Sequence, residues 1–354
     1  MAKNWTPKEV VKLYRIEKTK TSLYRDELSG LIPKAQRVKR GKTEIRIWEH
    51  KDLPEIGRHH GFLTPPEDTK VISVYTPKGG VLKSTVALNL ARMLALNGIN
   101  TLVIGLDVQC TVTHNLSKDE EITNVDDIKE VFGLYESAKS KAEGGCSIED
   151  AIHETDLPTL FYIPESSNLN LLEQRIRDEN RREFVIERLI KPLKNKFQVV
   201  IFDNSPNWNF LIQNSLAAAT DVICPIACDI ETFRSLMQNI EMINDFKAKM
   251  ELSWSNFILI PTKVERTKLS TQIEAQYRTL FPELITASSI RVAAKGQESS
   301  LEKLSVIEYD AASQLADDYY GIVQDIWNRI NPEKSKIKTK PKSSNHEIIE
   351  AMEA

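Results

Sequence analysis

The chain has no apolar run long enough to cross a bilayer. Stretches such as Leu102–Leu106 and Val199–Phe202 fall far short of the roughly 20 residues a membrane helix needs. The amino terminus, Met-Ala-Lys-Asn-Trp-Thr-Pro-Lys-Glu, lacks the apolar core of a secretory signal, so the expected location is the cytoplasm. Cysteine is scarce: Cys110, Cys146, Cys224 and Cys228 are the only four in 354 residues. Such spacing makes no disulfide framework, and reduced thiols are expected. Cys224 and Cys228 bracket Pro225 without companion ligands, so no metal site is expected there. Internal repeats are absent, and 41% hydrophobic with 27% charged residues excludes disordered and collagenous classes. The length suggests roughly two domains.

Net charge is low, at −3, but unevenly spread. Residues 1–60 carry fifteen Lys/Arg against eight Asp/Glu (+7), and residues 61–354 carry thirty-two against forty-two (−10). This asymmetry suggests a basic module that meets a polyanion, attached to an acidic body. Pro65-Pro66-Glu67-Asp68 reads as the linker between them. Beyond it, strand-like runs at 71–75, 101–106, 159–163, 198–203, 221–226 and 256–260 alternate with helical patterns at 84–97, 171–195, 208–219, 231–249, 268–280 and 310–329. The expected fold is α/β, a mostly parallel sheet flanked by helices. Residues 1–66, 67–331 and 332–354 are the expected units, the last a flexible tail because its Lys-rich sequence has no apolar face.

The most informative stretch runs from Val71 to Thr85. A strand leads into Lys78-Gly79-Gly80-Val81-Leu82-Lys83-Ser84-Thr85 and then into an amphipathic helix, the context of a phosphate-binding loop. Backbone N–H groups freed by the glycines can wrap a phosphate, and the helix presents its positive end to the same anion. Lys83 would neutralise the β and γ phosphates of ATP, and the Ser84 hydroxyl would ligate Mg2+. The stretch resembles the deviant Walker A ATPases of the ParA/MinD class, whose extra lysine stands at Lys78. The resemblance implies that Lys78 reaches across an ATP-bound homodimer to the partner's nucleotide, as an arginine finger does. Leu82 departs from the commoner glycine.

Two further stretches fit that class. In Leu102–Gln109, Asp107 matches the aspartate that orients attacking water, whereas Gly105 and Val108 replace an aspartate and a proline. Asp203, closing the apolar run before Asn204-Ser205-Pro206, resembles a Walker B acid that holds Mg2+ through water. The similarity covers about residues 70–330. It implies sequence-independent DNA contacts from Arg266, Arg291 and Lys295, which would weaken steeply with salt. It also implies a centromere-binding ParB-type partner and a nucleoid-associated protein.

In the basic module, Thr6-Pro7 opens a helix, and a second follows from about Thr21 to Leu28 with Gly30 as its stop. The short separation suggests a helix-turn-helix, and the alternation from Gln36 to Trp48 around Gly41 a β-ribbon wing. The order is similar to MerR-type winged helices and to the N-terminal domains of the larger partition ATPases. Lys20, Thr21, Ser22, Tyr24 and Arg25 would face a major groove, and Arg37, Lys39, Arg40 and Lys42 would hold phosphates or a minor groove. A solvated helical hairpin used for dimerisation is the alternative. Trp5 and Trp48 are expected in the core. His59-His60, with neither metal-ligand spacing nor a partner acid, is expected at the solvated end of a helix.

The function implied is a DNA-partition ATPase that also reads its own operator and represses its genes. Two other functions stay open. A MinD-like membrane- or cargo-positioning ATPase is disfavoured by the short acidic end, His346–Ala354. A transcription regulator that uses nucleotide only as a ligand is kept open by Gly105 and Val108.

Overall fold

The computed structural model describes residues 3–16, 20–41, 43–118, 130–131, 133–135 and 149–332. Of the expected tail at 332–354, all but Pro332 lies outside the described residues, as do Lys42 and Cys146. No helix among those described is long and apolar enough to cross a membrane.

The basic module consists of three helices and a two-stranded ribbon. Thr6 caps α1 (Pro7–Leu13) in a reciprocal box with Glu9, satisfying N–H groups that a helix start leaves bare. After α2 (Lys20–Leu28), Gly30 turns the chain at φ 73°, a conformation only glycine adopts freely. Strands β1 (Gln36–Arg40) and β2 (Thr43–Ile47) form an antiparallel ribbon in register from Gln36↔Ile47 to Arg40↔Thr43. Trp5 and Trp48 exchange backbone hydrogen bonds and are buried. Helix α3 (Leu53–His60) closes the module.

In the body the strands are β3 (Lys70–Val74), β4 (Thr101–Leu106), β5 (His153–Glu154), β6 (Leu160–Ile163), β7 (Val199–Asn204), β8 (Asp221–Ala227) and β9 (Asn256–Thr262). Their order is β5-β6-β4-β7-β3-β8-β9, parallel except for β5 against β6. Strands β4, β7 and β8 are buried along their whole length, as expected for a sheet covered on both faces. The covering helices are α4 (Lys83–Leu96), α5 (Thr111–Leu116), α6 (Leu169–Arg177), α7 (Val185–Ile190), α8 (Phe210–Ala218), α9 (Ile230–Lys249), α10 (Lys268–Leu280), α11 (Ala294–Leu301), α12 (Val306–Asp310) and α13 (Gln314–Ile330). The helical pattern at 171–195 is not one helix: Arg181, left-handed at φ 52°, separates α6 from α7, and 3-10 turns flank α7. The pattern at 310–329 likewise starts afresh where Ser313 caps α13.

Helix α4 corrects a larger expectation. It is not amphipathic but buried at every position from Val86 to Leu96. One side lies on the sheet, and α3 and α13 cover the other. The approach of α3 is close: a Cβ on Gly57 would stand 1.8 Å from the Leu96 carbonyl oxygen. Tyr14 seals the junction: its hydroxyl, with one proton to donate, lies 2.6 and 2.9 Å from the carbonyl oxygens of Leu53 and Leu96. A single hydrophobic cluster therefore runs from Trp5 to Ile330 through both halves.

The charge buried in this junction is matched. Arg92, on α4, donates to Glu308 at 2.7 and 2.8 Å and to Asp156 at 3.0 and 2.8 Å. His50 Nε2 lies 2.6 Å from Glu308. Burial alone would raise the Glu308 pKa, but Arg92 and His50 hold it well below the usual carboxylate range. Arg92→Ala strands that acid and should destabilise the fold by about 3–5 kcal/mol, read as urea unfolding of both halves in one transition. A depressed folded pKa contributes stability fully above the unfolded carboxylate value of about 4.3 and loses it as pH falls through the folded value. The gap between parent and variant should accordingly narrow in acid.

Candidate nucleotide site

The loop between β3 and α4 turns on two left-handed residues, Gly80 at φ 72° and Leu82 at φ 68°. Leu82 adopts with a side chain what glycine does freely, a local strain of about 1–2 kcal/mol. Such strain at a loop that opens a helix is a mark of functional sites. Lys83 Nζ donates to the Lys78 carbonyl at 2.7 Å, folding over the loop. Burial lowers the Lys83 pKa, while Asp203 and Asp107 pull it the other way. Lys78 stands at the rim, its Nζ 2.7 Å from Glu231 at the start of α9. That hydrogen bond raises the Lys78 pKa.

The floor of the cleft is acidic. Register pairs Asp203 with Val74 on one side and with Gly105 on the other. Asp203 is 0% exposed, and neither carboxylate oxygen makes a hydrogen bond of full geometry among the described residues. Burial pushes its pKa up to about 7; the nearby Ser84 hydroxyl works against this, while Glu165 and Asp107 add to it. Asp107 sits at the mouth, its Oδ1 accepting from the Gln109 amide at 3.0 Å. The cleft encloses about 700 Å3, from Gly79 and Lys83 across to Asp107 and Asn207.

Sequence reading groups Lys78, Lys83, Ser84, Asp107 and Asp203; of these, Lys83, Ser84 and Asp107 line the cleft, Asp203 lies beneath it near Ser84, and Lys78 stands at the rim against Glu231. It missed Glu165, which lies 60 residues in sequence from Gly105 yet fills the space beside it. No local pattern marks Glu165.

The model of the AAA domain family matches residues 69–256, more than half of the chain and all three of these motifs. The chain belongs to that family. It is a ParA/Soj-type P-loop ATPase. It is 26% identical over 261 residues to the chromosome-partitioning ATPase Soj of Treponema pallidum, covering 73% of this chain and 96% of that one. Among solved structures, the apo McdA of Cyanothece superposes with a TM-score of 0.63 at 19% identity, over 73% of this ATPase and 99% of McdA. The cobyrinic acid a,c-diamide synthase of Mycobacterium smegmatis, solved with an ATP analogue and magnesium, gives 0.55 at 26% identity, over 68% and 91%.

ATP and Mg2+ are the cofactors of this ATPase, and its residues fit them. A buried carboxylate beside a serine hydroxyl suits a hydrated divalent cation. Lys83 and the loop amides suit the phosphates. A bound cation, held by Ser84 and Asp203, would supply positive charge at the phosphates.

Residues expected to touch DNA are less uniform. Arg266 is exposed on the loop after β9, with no ion pair among the described residues. Arg291 is held by Asp318 at 2.7 Å through both Nε and Nη2, and Lys295 by Asp310. In the basic module Arg25, Arg37 and Lys39 are exposed, and Tyr24 lies under the Arg46 guanidinium at 4.0 Å. Lys20 and Thr21 fall in the first turn of α2 and Arg40 at the end of β1. Ser22 corrects the expectation: it is 8% exposed, turned into the module rather than toward solvent. The histidines correct another. His59 is exposed at the end of α3, as expected, but His60 is only partly exposed and its Nε2 lies 3.1 Å from Asp26, with that of His59 at 3.9 Å. The acid missing from the local sequence arrives from α2.

Replacing Lys83 by Ala removes the buried cation folded over the loop. A charged hydrogen bond of this kind predicts a loss in ATP affinity of about 10–100-fold, measurable with a fluorescent ATP analogue, with the thermal midpoint retained.

Proposed function

We propose that this protein is a DNA-partition ATPase whose ATP-bound homodimer binds nonspecific DNA and releases it on hydrolysis. Lys83 neutralises the phosphates, Ser84 and Asp203 hold Mg2+, Asp107 orients the attacking water, and Lys78 completes the partner subunit's site. The observation that carries this reading is the place of Lys78. It stands on the phosphate loop yet points to the rim, to Glu231, while Lys83 occupies the loop itself. A lysine so placed is available to a second subunit. Glu231 is largely exposed, and an exposed pair of this kind contributes little, so dimer closure can exchange it for phosphate. The similarity to a protein named chromosome-partitioning ATPase supports the same reading.

Residues 1–66 form, in this proposal, a winged helix-turn-helix unit that reads an operator and represses the protein's own genes. Residues 67–331 are the ATPase domain. Lys20, Thr21, Tyr24 and Arg25 on α2 face the major groove, and Arg37, Lys39, Arg40 and Lys42 hold the flanking backbone. The closed dimer holds nucleoid DNA through Arg266 first, because Arg291 and Lys295 must leave their carboxylates to join it. A centromere-binding ParB-type partner stimulates hydrolysis. Because α3 packs on the far end of the helix whose start faces the nucleotide, operator affinity should change with nucleotide.

Lys78→Ala is expected to bind ATP with parental affinity but to stay monomeric with a nonhydrolysable analogue in light scattering; Glu231→Gln should dimerise at lower protein concentration. Parental dimerisation and turnover by Lys78→Ala would exclude the cross-subunit role. Arg266→Ala should weaken DNA binding equally on all sequences and reduce the slope of log affinity against log salt by about 1.

A further inference from the structure

Strand β4 carries Asp107 to the mouth of the cleft, and just before it, at Gly105, the strand offers no side chain. Gly105 pairs directly with Asp203, so the space beside it adjoins the cation site. Glu165, two residues beyond β6, fills that space. A Cβ on Gly105 would fall 2.1 Å from both Cγ and Cδ of Glu165 and 2.3 Å from its Oε1. Real side chains do not approach so closely, so the observed position of Glu165 requires glycine at 105.

Glu165 is 1% exposed, and both its oxygens are used. Oε1 accepts from the Val112 amide at 3.1 Å. Oε2 accepts from the Thr113 amide at 2.8 Å and the Thr113 hydroxyl at 2.5 Å. The Glu165 amide donates back to the Thr113 oxygen at 2.9 Å. These are first-turn N–H groups of α5, which no intrahelical carbonyl can satisfy. The residue before α5, Cys110, is left-handed at φ 55° and caps nothing with its own side chain. Its thiol donates instead to the Glu165 carbonyl at 3.4 Å, and its amide to the Asp107 carbonyl at 3.0 Å. The segment from Asp107 to Leu116 is thus tied to β4 at one end and to Glu165 at the other.

We propose that Glu165 is the positioning residue for Asp107, a carboxylate supplied from the end of β6 that stands where Gly105 has no side chain and fixes the Asp107–Leu116 segment at the cleft. The proposal rests on the nucleotide reading of this cleft, in which Asp107 orients water. Its structural half stands without nucleotide.

The test compares full-length Glu165→Ala, Glu165→Gln, Gly105→Ala and the double variant Gly105→Asp/Glu165→Ala with the parent. Steady-state ATP hydrolysis is one readout, and amide hydrogen exchange without nucleotide is the other. Glu165→Ala is expected to lower kcat by about tenfold or more with the ATP dissociation constant within about threefold, since an orienting contact is lost and the phosphate contacts are not. Exchange at Val112 and Thr113 should rise by at least about tenfold, as buried hydrogen bonds there open, while residues 79–85 keep parental protection. Glu165→Gln, which keeps shape and one acceptor oxygen, should lose less. Gly105→Ala adds one methyl that displaces Glu165 and should reproduce the Glu165→Ala pattern; the double variant, with its acid returned to β4, should recover part of both readouts. Parental kcat and exchange in folded Glu165→Ala would overturn the proposal, as would a silent Gly105→Ala or an equal loss of protection in α5 and residues 79–85. Failure of the parent to bind ATP would instead sink the nucleotide reading, and the exchange arms would still decide the structural half.

Discussion

Helix α4 has no solvent face from Val86 onward, and that constraint organises the molecule. A helix apolar all round must be covered on every side. The sheet covers one side, and the other is left to α3 and α13. The N-terminal segment therefore cannot be a loosely tethered unit: Asn97, at the end of α4, accepts from the amides of Phe62 and Leu63 at 2.7 and 3.0 Å. Even the proline linker is fixed, because the carbonyl just before it, on Thr64, accepts from Trp327 and Asn331. One helix thus has its start at the nucleotide cleft and its end against the basic module.

Two buried acids show how burial separates function from structure. Glu308 and Asp203 are 1% and 0% exposed, and desolvation drives both toward the neutral form. At Glu308, Arg92 and His50 more than offset it, and the pKa falls. At Asp203 the nearby acids Glu165 and Asp107 add to it, and the pKa rises to about 7. A carboxylate that is buried and beside other acids holds its charge at neutral pH more readily when a cation joins it. Glu308 has the Arg92 guanidinium built in, whereas Asp203 faces the cleft with Lys83 near it.

The nucleotide site was legible because its parts are contiguous in sequence. A strand, two glycines, a lysine and a hydroxyl stand in a line from Val71 to Thr85, and Asp203 closes an apolar strand. Glu165 was not legible, since only the β4–β6 pairing brings it to Gly105. The pairing of Asp26 with His60 was hidden for the same reason, as was the inward turn of Ser22. In α4 the sign was present: only Asn89 and Arg92 interrupt the apolar run between Val86 and Leu96, and each finds a buried partner at Val306 or Glu308. Helical periodicity at 171–195 carried no information about the left-handed turn at Arg181, because backbone chirality reversals leave apolar spacing unchanged.

The helices that frame the cleft begin alike and are completed differently. Both α4 and α5 follow a non-glycine residue in the left-handed conformation, Leu82 and Cys110, and neither has a side-chain cap from that residue. Each start therefore presents bare N–H groups with a positive field. At α5 the carboxylate of Glu165 satisfies them from within the chain. Over the first turn of α4, no carboxylate accepts from the backbone among the described residues, and Lys83 is folded back on Lys78. The acid held at α5 is an internal measure of what the start of α4 is shaped to receive: an anion, with a cation beside it to answer Asp203.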